Sequence, residues 1–237
     1  MTRIMVVCPA FNEAGAITGV VHEIRSCLPD AQVVVVDDGS TDETANLARA
    51  AGARVIELPF NLGVGAALRT GLLAGLREGV DAVVQCDADG QHPPQAIAGL
   101  VAALADADIV IGARWAGEGD YEARGPRRWA MRLLAAAMTR VHGHRFTDVT
   151  SGFRAFGPRA LPVLAVELPP EYLGDTLDAL VIAKINGLRV VQVPVAMRAR
   201  TTGVASHKPF RAALYLARAV LVLLLSLARL IRRKEAT

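Results

Sequence analysis

Five short apolar runs recur along the first half of the chain, at residues 4–7, 33–36, 54–56, 82–85 and 109–111. Between them lie helical patterns near residues 16–26, 41–51, 66–78 and 94–103. The runs are continuous in valine and isoleucine and do not alternate with polar residues. Strands of that kind are covered on both faces, which with intervening helices means a parallel sheet. The expected class is therefore α/β, with a doubly wound, mostly parallel sheet flanked by helices and not a barrel of eight units. Such a sheet binds its ligands outside the carboxyl ends of its strands.

Polar or glycine-bearing loops fall at those ends. The first run leads into Pro9-Ala10-Phe11-Asn12-Glu13 and the second into Asp37-Asp38-Gly39-Ser40-Thr41-Asp42. The third leads into Asn61-Leu62-Gly63-Val64-Gly65 and the fourth into Asp87-Ala88-Asp89-Gly90-Gln91-His92-Pro93-Pro94. Asp87 and Asp89 repel unless a cation or a shared proton relieves them. Hard oxygen ligands, with a carbonyl available from Gln91, suit Mg2+ or Mn2+ carrying phosphate oxygens. The plainer alternative is a polar turn that caps the helix starting at Pro94. Thr41 likewise reads as a helix N-cap, with Asp42 and Glu43 in the first turn.

Several chemistries lack their residues. Gly63-Val64-Gly65 misses the third glycine of a dinucleotide fingerprint and follows the third strand instead of the first. There is no Walker lysine loop, no His/Cys cluster suited to zinc and no G-x-S-x-G elbow around Ser40 or Ser151. A net charge of +3 over 237 residues is too weak to argue for nucleic acid. Cys8, Cys27 and Cys86 form no C-x-x-C pair, and Cys8 and Cys86 read as small buried thiols. No signal peptide precedes the first strand, so a cytoplasmic protein is expected.

Past residue 111 the pattern changes. Residues 117–126 are rich in glycine and charge and read as a mobile loop or lid. A helix over 127–141 would carry Arg128 and Arg132 on one face. A further helix spans about 176–186, then a strand at 190–195, then the basic stretch holding Arg198 and Arg200. Residues 219–228 are apolar, too short to span a bilayer, and flanked by Arg218 and Arg229. On a helical wheel Arg211, Arg218, Arg229 and Arg233 share a stripe, which suits an amphipathic helix in the membrane interface. Packing on the domain or on a second copy is the alternative, leaving a homo-oligomer open. The expected division is 1–205 for the catalytic domain and 206–237 for the amphipathic helix.

The four loops, together with Ser151-Gly152-Phe153-Arg154, resemble in order and spacing the family 2 glycosyltransferases of the GT-A fold, and most closely the dolichyl- and polyprenyl-phosphate sugar transferases. The resemblance covers about residues 4–203. It implies nucleotide-sugar contacts at Pro9, Phe11, Glu13, Val36, Asp38, Asp87, Ala88 and Asp89. It implies metal ligands at Asp87, Asp89 and Gln91, and phosphate-binding arginines at Arg114 and Arg128. Phe11 stands where relatives usually have tyrosine, and its plainer reading is a core residue under the first helix. The basic tail, Arg200 to Lys208, is one or two residues longer than the family pattern, so Lys208 has no assigned role.

The expected activity is metal-dependent transfer of a sugar from a nucleoside-diphosphate-sugar, which the resemblance implies is inverting, with Asp89, Arg114, Arg128 and Asp178 as the catalytic set. Nucleotidyl transfer would want a glycine-rich basic loop after the first strand, which is absent. A non-catalytic nucleotide-sugar binder is the remaining class. Two acceptors stay open. A polyprenyl phosphate, dianionic without a base, would be held by Arg114, Arg128, Arg132 and Arg200. A hydroxyl would need a base, for which Asp178 is the candidate. The first places the protein peripherally on the cytoplasmic face of a membrane.

Overall fold

The computed structural model describes residues 2–114, 126–169 and 174–198. Its strands are β1 (Ile4–Ala10), β2 (Gln32–Asp37), β3 (Arg54–Glu57), β4 (Ala82–Gln85), β5 (Ile109–Ala113), β6 (Arg154–Phe156) and β7 (Val190–Pro194). They form one seven-stranded sheet in the order β3-β2-β1-β4-β6-β5-β7. All pairings are parallel except those of β6, which runs antiparallel between β4 and β5. The α-helices are α1 (Ile17–Cys27), α2 (Thr44–Ala50), α3 (Val64–Glu78), α4 (Ile97–Ala102), α5 (Pro126–His142), α6 (Ala160–Glu167) and α7 (Ala179–Ile185). A π-helical turn, Gly174–Asp178, leads into α7.

Side-chain alternation along the strands divides the core in two. Met5 and Val7 of β1 face α3, α5, α6 and α7, packing with Leu68, Leu72, Met138, Leu164 and Leu180. Val6 and Cys8 face α1, α2 and α4, packing with Ile17, Val21, Ala48, Ile97 and Leu100. Cys8 and Cys86 are fully buried thiols, as their apolar surroundings require.

The five strands and four helices of the first half stand where the apolar pattern places them. Two elements were not legible. β6 has only three residues and opens on an arginine, so it carries no periodic signal. α6 holds Pro162 in its first turn, where proline costs no hydrogen bond but breaks the look of a helix. Thr41 does not cap α2. That helix begins at Thr44, whose N–H is taken by Asp42 Oδ1 at 3.0 Å, while the Thr41 N–H goes to Asn12 Oδ1 at 2.9 Å. The expected lid segment up to residue 125, Arg200, the 205/206 boundary and the C-terminal amphipathic helix all lie outside the described residues.

α3 lies close on the sheet because Gly71 and Gly75 face it. A Cβ on Gly71 would sit 2.3 Å from Val7 Cγ1, and one on Gly75 would sit 2.4 Å from Val83 Cγ2. Alanine raises helix propensity by about 1 kcal/mol, but overpacking costs about 1–3 kcal/mol, and at 2.3 Å the clash should win. Gly71→Ala should therefore lower stability in urea denaturation. Val7→Ala added to it should cost less than the sum of the two single changes, because it vacates the space the new methyl needs.

Candidate active site

The loops after β1 and β2 are knitted together by the polar residues of their own motifs. Asn12, at φ 55°, donates its N–H to Ser40 Oγ at 2.9 Å. Glu13 N–H reaches Thr44 Oγ1 at 2.9 Å, and Ala14 N–H reaches Asp42 Oδ2 at 3.2 Å. Ser40 in turn donates its hydroxyl to Asp37 Oδ1. Asp38 is 3% exposed and accepts from Leu62 N–H and Gly63 N–H, both at 2.8 Å, one on each oxygen. It thereby clamps the loop after β3. Burial pushes its carboxyl up, the two N–H bonds pull it down and neighbouring Asp37 pushes it up, with a net rise. A nucleotide base would have to use the lone pairs these bonds leave. Gly39, at φ 71°, lets the clamp close, since a Cβ there would meet the Phe60 carbonyl carbon at 2.6 Å.

Of the other expected donor contacts, Phe11 is 44% exposed beside this clamp, so it is not a core residue under α1. Pro9 is buried in β1, paired in register with Val36. Val36 is fully buried in the core below α3, so its side chain offers a ligand no surface. Glu13 is half-buried, and Ala88 is buried within the loop after β4.

That loop is built around Asp87. Gln85 Nε2 donates to Asp87 Oδ1 at 3.1 Å. Gln85 is fully buried, and its Oε1 has no partner among the described residues. His92 Nδ1 accepts the Asp87 N–H at 2.9 Å, and Nε2 lies 3.6 Å from Asp87 Oδ2. The ring stacks on Phe153, centroids 4.8 Å apart. Burial disfavours a second proton on His92, whereas Asp87, Cys86 and Asp89 favour one more strongly. Because Nδ1 accepts the Asp87 N–H, the ring proton sits on Nε2, on the side of Asp87 Oδ2. Gly152 covers Asp87 from the β6 side, and a Cβ there would come within 3.1 Å of Oδ2.

Asp89 accepts from Gln91 N–H at 3.0 Å and from Gln91 Nε2 at 2.9 Å. In this arrangement Gln91 orients Asp89, and the ligand role expected for its carbonyl would require the amide to turn over. The donor set suits a hard cation. Asp87 and Asp89 supply carboxylate oxygens with one residue between them, and the absence of a side chain at Gly152 lets the chain pass close to Asp87 and Gln85. No cluster of three or more His, Cys, Asp or Glu able to hold a metal occurs among the described residues.

Arg114 follows β5 on the same edge. Its Nε donates to Asp148 Oδ2 at 2.6 Å, and Nη2 donates to Asp148 Oδ1 at 3.1 Å and to Thr150 Oγ1 at 2.8 Å. The pair is enclosed, the Asp148 side chain being fully buried. Burial pushes the Asp148 carboxyl up, but Arg114 outweighs it and holds it below the usual range. Arg132 is exposed on α5; Arg128 belongs to the same helix, but its side chain is outside the described residues. Asp178 is half-buried at the end of the π turn.

Three contributions escaped sequence reasoning. Arg154 is fully buried and donates to the carbonyls of Ser151, Val149 and Thr176 at 2.8, 2.9 and 2.8 Å, tying the loop before β6 to the π turn. His92 acts as described above, though it lay within a quoted motif. Arg198 N–H donates to the Gln91 carbonyl at 3.0 Å, and its guanidinium grips Glu23 at 2.7 Å through both nitrogens and Gln95 at 2.9 Å. The chain leaving β7 is thus fastened to the carboxylate loop.

The family model described as "Glycosyl transferase family 2" matches residues 5–162. The chain belongs to this family. It is a glycosyltransferase, and its sheet is the GT-A arrangement that the sequence resemblance implied. It is 32% identical over 213 residues to the undecaprenyl-phosphate mannosyltransferase of Micrococcus luteus, covering 85% of this chain and 86% of the relative. It is 31% identical to the polyprenol monophosphomannose synthase of Mycolicibacterium smegmatis, covering 86% and 80%. Among solved structures it resembles glucosyl-3-phosphoglycerate synthase from Mycobacterium tuberculosis bound to Mn2+, UDP and glucosyl-3-phosphoglycerate. That match has a TM-score of 0.72 and 28% identity, over 95% of this chain and 79% of the other. The same synthase with Mg2+ and UDP also has a TM-score of 0.72, at 27% identity.

Two outcomes follow from the geometry. Gln85→Met should raise the denaturation midpoint, because an unpaired buried carbonyl costs about 1–3 kcal/mol. It should also lower turnover, because Asp87 loses its orienting bond. Asp148→Asn should cost about 3 kcal/mol by removing the buried charge that Arg114 is paired with. The Asp148 carboxyl titrates below its ordinary value, so the pair stabilises fully above a pH of about 3.9. The stability gap between wild type and variant should close as the pH falls through the lowered value.

Proposed function

We propose that this glycosyltransferase moves a sugar from a nucleoside-diphosphate-sugar to a polyprenyl phosphate, with inversion at the anomeric carbon. The observation that carries the reading is the placement of opposite charges along one sheet edge. Asp87 follows β4 and Arg114 follows β5, with the Ser151–Gly152 turn entering β6 between them. Two strand spacings separate β4 from β5, roughly 10 Å, room for a sugar ring between a donor diphosphate and an acceptor phosphate. The polyprenyl-phosphate sugar transferases among the relatives support the acceptor. The Mn2+, Mg2+ and UDP held by the structural relative support the donor and the cation.

In this reading Asp89, aligned by Gln91, and Asp87, aligned by Gln85, hold the cation. Bound there, Mg2+ or Mn2+ would offset the charge growing on the leaving diphosphate. Phe11 flanks the base above the Asp38 clamp. Arg114, fixed by Asp148, presents a guanidinium to the acceptor phosphate, with Arg128, Arg132 and Arg200 completing the cationic side. An acceptor phosphate oxygen attacks the anomeric carbon, the carbon–oxygen bond to the diphosphate breaks, and the nucleoside diphosphate leaves with the electron pair. No general base is needed, because a phosphate monoester with a second pKa of about 6 is already mostly dianionic. Among the described residues no helix is long and apolar enough to cross a membrane.

The test is release of nucleoside diphosphate from UDP- and GDP-sugars with short-chain polyprenyl phosphate and Mn2+ or Mg2+. Release should depend on the acceptor and stop in EDTA. Asp89→Asn should lower it by about a hundredfold or more, while Asp178→Asn should keep most of it. Full activity of Asp89→Asn would remove the metal role, and a dead Asp178→Asn would move the acceptor to a hydroxyl.

A further inference from the structure

The exposed face of α5 combines large apolar side chains with arginines. Trp129 is 74% exposed and Leu133 is 55% exposed, one turn apart. Arg132, Ala136 and Arg140 are also exposed. At 100° per residue these five positions fall within one arc, while Leu134, Ala135 and Met138 on the opposite side are buried in the core. The helix carries no acidic residue anywhere along Pro126–His142. From Trp129 to Arg140 the face runs roughly 16 Å.

We infer that this face docks on an anionic lipid surface, with Trp129 and Leu133 entering the headgroup–acyl boundary and Arg132 and Arg140 lying among the phosphates. Charge decides the occupant. An acid-free helix showing cations beside a tryptophan and a leucine complements an anionic bilayer on both counts, since aromatic and aliphatic groups enter the interface while arginines stay at the headgroups. A nucleic acid would leave Leu133 without a partner. A second copy of the same face would set arginines against arginines. The inference stands on the helix's own residues and not on the acceptor assigned above, so vesicle docking and sugar transfer can fail separately.

Trp129 provides the readout, because the chain holds only one other tryptophan, Trp115. Full-length Trp115→Phe protein is titrated with phosphatidylcholine vesicles and with vesicles rich in phosphatidylglycerol, with and without lipids brominated high on the acyl chain. Trp129 emission should shift to the blue and be quenched by bromine on the anionic vesicles alone. In that background Arg140→Gln should weaken partitioning about fivefold, and Leu133→Ser at least as much. Both should retain transfer to a short-chain acceptor in vesicle-free buffer. Emission that stays unshifted and unquenched on vesicles the chain does bind would overturn the inference, since another segment would then be docking. So would a blue shift that grows with protein concentration without lipid, which would mean a second copy covers the face. Vesicle docking with no sugar transfer would count against the proposed reaction and leave this inference standing.

Discussion

The Arg154 guanidinium is buried at the centre of the molecule, where an ion without partners costs several kcal/mol. It is tolerated because its donors meet the carbonyls of Ser151, Val149 and Thr176. Those three carbonyls belong to the stretch entering β6 and to the π turn before α7, pieces far apart in sequence. Their convergence fixes Gly152 against Asp87 and Phe153 against His92, so the carboxylate loop inherits its shape from a cation that touches neither of its aspartates in the contacts described above. π turns are local departures from the α-helix and occur often at functional sites. Here one is held in part by a buried guanidinium, through the Thr176 carbonyl.

Much of the polar content of the motifs is spent on architecture. Asp37, Ser40, Asp42 and Thr44 shape the first two loops, and Asp38 gives both oxygens to main-chain N–H groups of a third. Asp87 and Asp89 are each held by a neighbouring glutamine, Gln85 on the first and Gln91 on the second. Gln85, Gln91, His92 and Gly152 each restrict them from a different side. The unpaired Gln85 oxygen is a local cost consistent with that aim.

The sheet was legible because continuous valine and isoleucine runs, such as 33–36, admit few other readings. The loops were legible because they follow those runs. What the sequence hid depends on partners distant in the chain. Arg114 could be expected to pair with a surface carboxylate such as Glu118, Glu122 or Asp148, but the sequence hid that the Asp148 pair is enclosed, since that follows only when β5 and the loop before β6 meet. Asp38 looked free because its partners are main-chain groups of Leu62 and Gly63, and main-chain donors have no signature. Val36 looked available from its place in a motif, but strand alternation turns its side chain into the core. β6 was missed for want of length, although its three residues divide the two strands that carry the opposite charges of the site.

The antiparallel course of β6 has a consequence for inheritance. Because β5 ends and β6 begins on the same edge, residues 114–153 leave the sheet and return to it at neighbouring strands. The two roots of this segment are pinned side by side, and its described part is tied back to the sheet edge through Asp148 on Arg114 and Phe153 on His92. A lineage could rewrite the outer part of that segment while the strands, and the loops that follow β1, β2 and β4, pass on unchanged.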